Sequence, residues 1–283
     1  MTFKVQRALH KFLEADKKNP KYIGKTYAVL EKYDGWYGYY ENGVIYSRAG
    51  RAIPSVQWLA KKIHDKRPCM EGILIFEILV EGFPVFSDLN GILNRKREPA
   101  LGAYLKVHDW IDPFNATLDF KHRWKLASYL VGRIDLPEMT LVVPITASSN
   151  PDCWQRIAED VWSRGGEGVI LKALLAPFEP GKRNSNMMKI KEELTLDLEV
   201  VGMFEGEGKY LGTLGGLIVA GLDMYRHRIS GMTDTQRDEW WADEDLILGQ
   251  IVEVKAMKKL KDGSLREPRF KAIRHDKYVE DMD

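Results

Sequence analysis

The sequence predicts an α+β domain followed by a small all-β barrel, and three observations carry that expectation. The first two-thirds of the chain mixes strand-like and helix-like hydrophobic periods without the regular alternation of a doubly wound sheet. After about residue 195 only short β-type runs separated by glycine-rich turns remain. At 283 residues the chain is long enough for two cores, so a division into 1–195 and 196–283 is expected.

Taken in order, Phe3, Val5, Ala8, Leu9, Phe12 and Leu13 recur near helical spacing, and Asn19-Pro20 would stop that helix. From Tyr27 to about Ser47 the period becomes two. Asp34-Gly35 breaks the run, and Asn42-Gly43 signals a type I′ hairpin. Val56, Leu59, Ala60 and Ile63 suit a helix over Ser55–His64, whereas 73–80 reads as a strand buried on both faces. Helices return at Phe120–Val131 and Pro151–Ser163, the latter with Asn150 as cap and Pro151 at its first position. Gly165 to Gly168 is a turn into the strand 169–171. Short strands are then expected at 198–203, 216–220, 228–230 and 249–254, a spacing that suits a barrel of the OB type.

Composition narrows the function classes. Forty-two basic and forty-one acidic residues leave +1, so a polyanion would need a local patch rather than bulk charge. Asp197 to Asp283 holds 13 basic and 18 acidic residues, a net −5 that leaves +6 on the rest. Glu253 to Lys277 reverses the sign locally, with nine basic against four acidic residues. Two cysteines, Cys69 and Cys153, are too few for a disulfide scaffold or a four-thiolate zinc site. No apolar run nears the roughly 20 residues that span a bilayer. The start of the chain lacks a signal-peptide stretch, so a cytoplasmic chain with no membrane partner is expected.

The chemistry-bearing residues recur in a fixed order. Lys32-Tyr33-Asp34-Gly35 places an amine at the end of an apolar strand, next to a turn. A lysine becomes a nucleophile when desolvation or neighbouring cations lower its pKa from about 10.4. Ser47-Arg48 follows. Glu77 is a lone carboxylate inside an eight-residue apolar run, costly unless it meets a cation, a metal or a ligand. Glu167-Gly168 then opens a strand ending in Lys172. Lys189 and Lys191, two apart, point the same way and would depress the pKa of Lys32 if nearby. Arg266, Pro268, Phe270, Ile273, Arg274, Asp276 and Lys277 close the series.

In that order and spacing these residues resemble the covalent nucleotidyltransferase superfamily, specifically the minimal ATP-dependent DNA ligases of phage and bacteria. The resemblance runs from about Thr26 to Val279. It implies a nucleotidyltransferase (adenylation) domain with antiparallel sheets and flanking helices, followed by an OB-fold β-barrel. It also implies Lys32 as nucleophile towards ATP, transfer of AMP to the 5′-phosphate of a nick, and sealing by the 3′-hydroxyl, with roles in replication, repair and recombination.

By the same resemblance Lys189 and Lys191 touch the α-phosphate, and Glu31, Tyr37, Arg48, Glu77 and His108 complete the nucleotide site. Glu167, with Glu77, holds magnesium, or manganese in its place, and Arg274 and Lys277, with Arg266 as a further candidate, orient pyrophosphate. Tyr37 stands where many relatives have an arginine that contacts the ribose. Glu71 competes with Glu77 for the ribose, and Trp110 with His108 for the base. Nicked double-stranded DNA is the implied partner of a monomer, gripped through Lys255, Lys258, Lys259, Lys261, Arg95, Lys96 and Arg97, with Lys191–Leu198 as hinge. A GTP-using capping guanylyltransferase, an RNA ligase and a non-catalytic OB-fold nucleic-acid binder are the alternatives. An NAD-dependent ligase would need more cysteines for its zinc site.

Overall fold

A computed structural model describes residues 3–10, 24–83, 86–112, 114, 117–260, 262–278 and 283. The chain divides into two compact units, 1–191 and 192–283.

The first unit runs β1 (Arg7–His10), β2 (Tyr27–Glu31), β3 (Trp36–Glu41), β4 (Val44–Ser47), α1 (Gln57–Lys66), β5 (Ile73–Val80), α2 (Phe86–Leu93) and β6 (Ala103–Ile111). It continues with α3 (Phe120–Ile134), β7 (Met139–Leu141), β8 (Thr146–Ser148), α4 (Pro151–Ser163), β9 (Gly168–Ala173) and β10 (Arg183–Lys191). Two five-stranded sheets result, ordered β1-β10-β9-β2-β8 and β4-β3-β5-β6-β7. Pairing is antiparallel except for one parallel edge pair in each sheet, β1/β10 and β6/β7.

Local sequence explains most of these elements. Asn42 (φ 49°) and Gly43 (φ 82°) both sit left-handed between β3 and β4, as a type I′ turn requires. The Asn150 side chain accepts from Asp152 N, and Pro151 opens α4. Asp119 caps α3 through His122 N. Alternation along β5 and β6 sends Leu74, Phe76, Ile78, Leu105 and Val107 into a core with Leu59, Ile63, Leu89, Leu93, Ala127 and Ile134 of the helices. The opposite face of the same strands carries Glu77, Lys106 and His108. Helix α4 covers the other sheet, burying Trp154, Ala158 and Val161 against Tyr27, Val29, Leu171 and Met188.

The N-terminal expectation is corrected. Residues 7–10 are not helical but form β1, paired in parallel with β10, while Phe12, Leu13, Asn19 and Pro20 lie outside the described residues. The spacing of Val5, Ala8 and Leu9 fits either period over so short a stretch, and the free edge of β10 decides it.

The second unit contains β11 (Leu194–Glu205), β12 (Leu214–Ala220), β13 (Arg226–Ile229), α5 (Asp234–Ala242), β14 (Ile251–Ala256), β15 (Lys258–Lys259), β16 (Leu265–Arg266) and β17 (Arg269–Ile273). Five strands form one antiparallel sheet, β13-β12-β11-β14-β17, around Leu198, Leu217, Val219, Ile229, Trp240, Val252 and Phe270. This is the expected OB-type unit in open form: among the described residues the sheet's edges meet at a single parallel bridge, Ser230 to Arg269. Leu194, Leu196 and Leu198 belong to β11, paired to β14. The expected hinge, 191–198, spans the end of β10 and the start of β11, with 192 and 193 between the two strands. No helix among the described residues is long and apolar enough to cross a membrane.

Candidate active site

Three adjacent strands align the first cluster. Lys32 follows β2 and its backbone N–H donates to Gly168 O at 2.9 Å, while Gly168 on β9 stands opposite Lys191 on β10. Gly168 has φ 137°, and a Cβ there would lie 2.1 Å from Ile190 O, so a side chain would push β10 away from β9. The register brings Lys32 Nζ to Glu167 Oε2 and Lys191 Nζ to Glu167 Oε1, with the carboxylate only 7% exposed. Trp162 Nε1 donates to Glu167 O at 3.3 Å and steadies the turn. Lys189 lies one pleat away on β10. Burial, then the charges of Lys191 and Lys32, push its pKa down to about 8.

The other sheet supplies the facing wall. Tyr37, Glu77 and Lys106 are cross-strand neighbours on β3, β5 and β6. Burial raises the Glu77 pKa to about 7, opposed by Lys32 and Arg48. Exposed Arg48 places its guanidinium carbon 5.2 Å from the Tyr37 ring centroid, and burial holds the Tyr37 hydroxyl well above its ordinary pKa. His108 lies on the same face with its ring 6.1 Å from that of Tyr37. Trp110 is instead a core side chain packed under Gly72, and Glu71 is exposed ahead of β5. Glu31 is partly exposed, 3.9 Å from Arg164. A cavity of about 830 Å³, within the size range of small-molecule sites, opens beside Lys32, Tyr33, Asp34, Glu167, Leu79 and Tyr104, while Tyr37, Glu77, His108, Lys189 and Lys191 do not line it.

Beneath His108 lies a buried charge cluster that the sequence reading did not assign. Asp109 accepts from Arg123 Nε at 2.9 Å and from Lys172 Nζ at 2.9 Å. Burial alone would raise the Asp109 pKa, but Lys172 and Arg123 outweigh it and hold the carboxyl at about 2. The signal was available: Lys172 sits in an apolar strand as Glu77 does.

In the second unit, Arg274 donates to Asp276 Oδ1 and Oδ2, both at 2.9 Å, and to Asp197 Oδ1 at 3.1 Å. Lys277 is 3.6 Å from Asp197. Several cations read as DNA contacts are also paired: Lys255 with Glu193 (3.2 Å), Lys259 with Asp223 (3.0 Å) and Arg95 with Glu98 (3.1 Å). Lys258 pairs β15 to β16 beside Arg266, Lys96 and Arg97 are exposed, and Lys261 lies outside the described residues.

Among the described residues no three His, Cys, Asp or Glu side chains converge. Glu167, whose oxygens are paired with Lys32 and Lys191, and Glu77 are the carboxylates that could receive a divalent cation here, with phosphate oxygens and water as its other ligands.

Two facing sheets with a lysine–glutamate–lysine cluster on the inner wall, followed by an open OB-like sheet, define a nucleotidyltransferase-type ligase fold. Family models agree in both units: "ATP dependent DNA ligase domain" matches residues 119–191 and "DNA ligase OB-like domain" matches 205–274. A DNA ligase of Methanosphaerula palustris is 30% identical over 190 residues, 59% of this chain and 33% of that protein. The chain thus spans about a third of that relative's length. The solved structure of a Lig E DNA ligase is 20% identical and covers 97% of this chain and 100% of its own, with a TM-score of 0.78. The bacteriophage T7 ATP-dependent DNA ligase in complex with ATP is 20% identical and covers 96% and 99%, with a TM-score of 0.54. Each unit thus resembles a domain of the ATP-dependent DNA ligases.

Proposed function

We propose that this chain seals nicks in duplex DNA with ATP, through an AMP carried on Lys32. The observation that supports it best is the pairing of Lys32 and Lys191 with one buried carboxylate at the cavity wall. In the first step Lys32 Nζ bonds to the α-phosphorus and the bond to pyrophosphate breaks. The proton that Nζ must lose before attack has Glu167 Oε2 beside it. Next, a 5′-phosphate oxygen of the nick bonds to the same phosphorus and Lys32 leaves. Finally the 3′-hydroxyl attacks the 5′-phosphate and AMP departs.

Phosphoryl transfer of this kind is mostly positioning and charge neutralisation. Lys189 and Lys191 supply cations beside the reacting phosphate. Glu77 offers an acceptor for a ribose hydroxyl, and His108 a flat ring for the base. Tyr37 stands where many relatives carry the ribose arginine, and Arg48, beside its ring, would reach towards the phosphate and the nicked end. Glu167, with Glu77 near it, would hold magnesium, which would neutralise phosphate charge when bound. Arg274 and Lys277 are the candidates to orient pyrophosphate once freed from Asp197 and Asp276.

The test is incubation with α-labelled ATP or GTP and magnesium, then chase onto nicked duplex DNA or nicked RNA. Labelling by ATP and transfer to nicked DNA is the expected result. Labelling by GTP alone would move the reading to capping, transfer to RNA alone to an RNA ligase, and no labelling would overturn it.

A further inference from the structure

The ammonium of Lys172 is saturated. Its Nζ lies 2.9 Å from Asp109 Oδ2, 3.2 Å from His108 O and 3.2 Å from His108 Nδ1. An ammonium has three protons and no lone pair, so each of these three neighbours must accept. The Phe120 ring, 4.7 Å from Nζ, closes one side. His108 Nδ1 is therefore the unprotonated nitrogen, and the ring proton sits on Nε2. We propose that Lys172 is a positioning residue of the nucleotide cleft, locking His108 into a neutral ring of one tautomer and one orientation. This rests on the reading of the cleft as a nucleotide site.

The groups around the imidazole act on its charge in both directions, and the balance favours the neutral ring. Lys172 comes from β9, and Asp109 on β6 is already engaged by Lys172, Arg123 and Trp110 N. Tyr37 of β3 keeps its proton. Lys32 disfavours an imidazolium, Asp109 favours one, and burial with the Lys172 charge prevails against protonation. Glu77 and Lys106 lie on the same sheet face. The strand thus presents a ring that is held from behind, where a phenylalanine would be held by packing alone. The consequence is for binding: a nucleotide base meets a pre-oriented surface and need not order it.

Two experiments test this. In the wild-type protein without nucleotide, imidazole nitrogen NMR should show His108 with Nε2 protonated and Nδ1 bare at neutral pH. The opposite tautomer or an imidazolium overturns the proposal, and this measurement stands whether or not the protein forms lysyl-AMP. Second, Lys172→Met should weaken ATP binding about tenfold, the size of one charge-assisted hydrogen bond, with little change in the rate of lysyl-AMP formation at saturating ATP. In a His108→Phe background the same substitution should leave ATP affinity nearly unchanged, because no Nδ1 remains to be held. An equal loss in both backgrounds overturns the proposal. If wild-type protein shows the expected tautomer yet never binds ATP, the functional reading fails instead.

Discussion

Asp109→Asn keeps the shape of the side chain and removes one negative charge from beneath the candidate site. Asp109 is 3% exposed and is the carboxylate shared by Arg123 and Lys172, which are 4% and 5% exposed. Removing one partner of a buried ion pair costs about 3–5 kcal/mol, because the remaining charge loses its compensation in a medium that solvates it poorly. For a unit the size of residues 1–191 that corresponds to a fall in melting temperature of about 7–12 °C.

The pH dependence gives a second signature. The carboxyl is held at about 2 in the folded protein against an ordinary 3.8. Its contribution is therefore present above pH 3.8 and lost as pH falls towards 2. Wild type and variant should differ most near neutrality and converge in acid. They should also converge at alkaline pH, since the pKa of Lys172 is lowered by burial while Asp109 opposes the shift, and without Asp109 Lys172 sheds its proton more readily. The assay is thermal unfolding followed by circular dichroism across that range. A neutral-pH difference under about 1 kcal/mol, ordinary for surface substitutions, would refute the reasoning.

Three further outcomes follow from the geometry. Lys189 is charged below about pH 8 and neutral above, so lysyl-AMP formation should decline as pH rises through 8. In Lys189→Arg the decline should move upward, whereas a wild-type rate flat to alkaline pH would contradict a phosphate role for Lys189. Burial raises the Glu77 pKa to about 7 from an ordinary 4.5. Ionisation therefore costs folded-state stability as pH rises between those values. Glu77→Gln should melt with wild type at low pH and above it beyond pH 7, and coincidence of the two melting curves at all pH would deny the buried carboxyl. Arg274→Ala should slow lysyl-AMP formation and spare sealing of a pre-adenylated nick; equal loss in both assays would place Arg274 elsewhere in the reaction.

Much of the site was legible because its chemistry is written locally. A lysine at a strand end, a carboxylate alone in an apolar strand and two lysines on one face each announce themselves. The structure adds what register decides. Gly168 lets β10 approach β9, and that approach sets Lys191 and Lys32 on the two oxygens of Glu167. That Trp110 joins the core while His108 lies beside Tyr37 is equally a matter of register, set by a shift between Ile75 and Phe76 that no local pattern reveals.

Other features depend on partners far away in the sequence. The strand β1 takes its period from β10, not from its own short run. Closure of the second sheet depends on Ser230 meeting Arg269. Helix α5 carries a local start signal, the capping box of Thr233 and Gln236, but only one buried apolar anchor, Trp240, so its hydrophobic period is weak. Lys172 obeys the rule that singled out Glu77, and its significance appears only once Asp109 and His108 are seen beside it.

Peptide mapping by mass spectrometry after exposure to ATP and magnesium tests the nucleophile most directly. One adenylyl group on the peptide containing Lys32, absent from a Lys32→Ala protein that melts as wild type does, is the predicted result. An adduct on Lys189, Lys191 or any other side chain, or a Lys32→Ala protein that still becomes adenylylated, would contradict it.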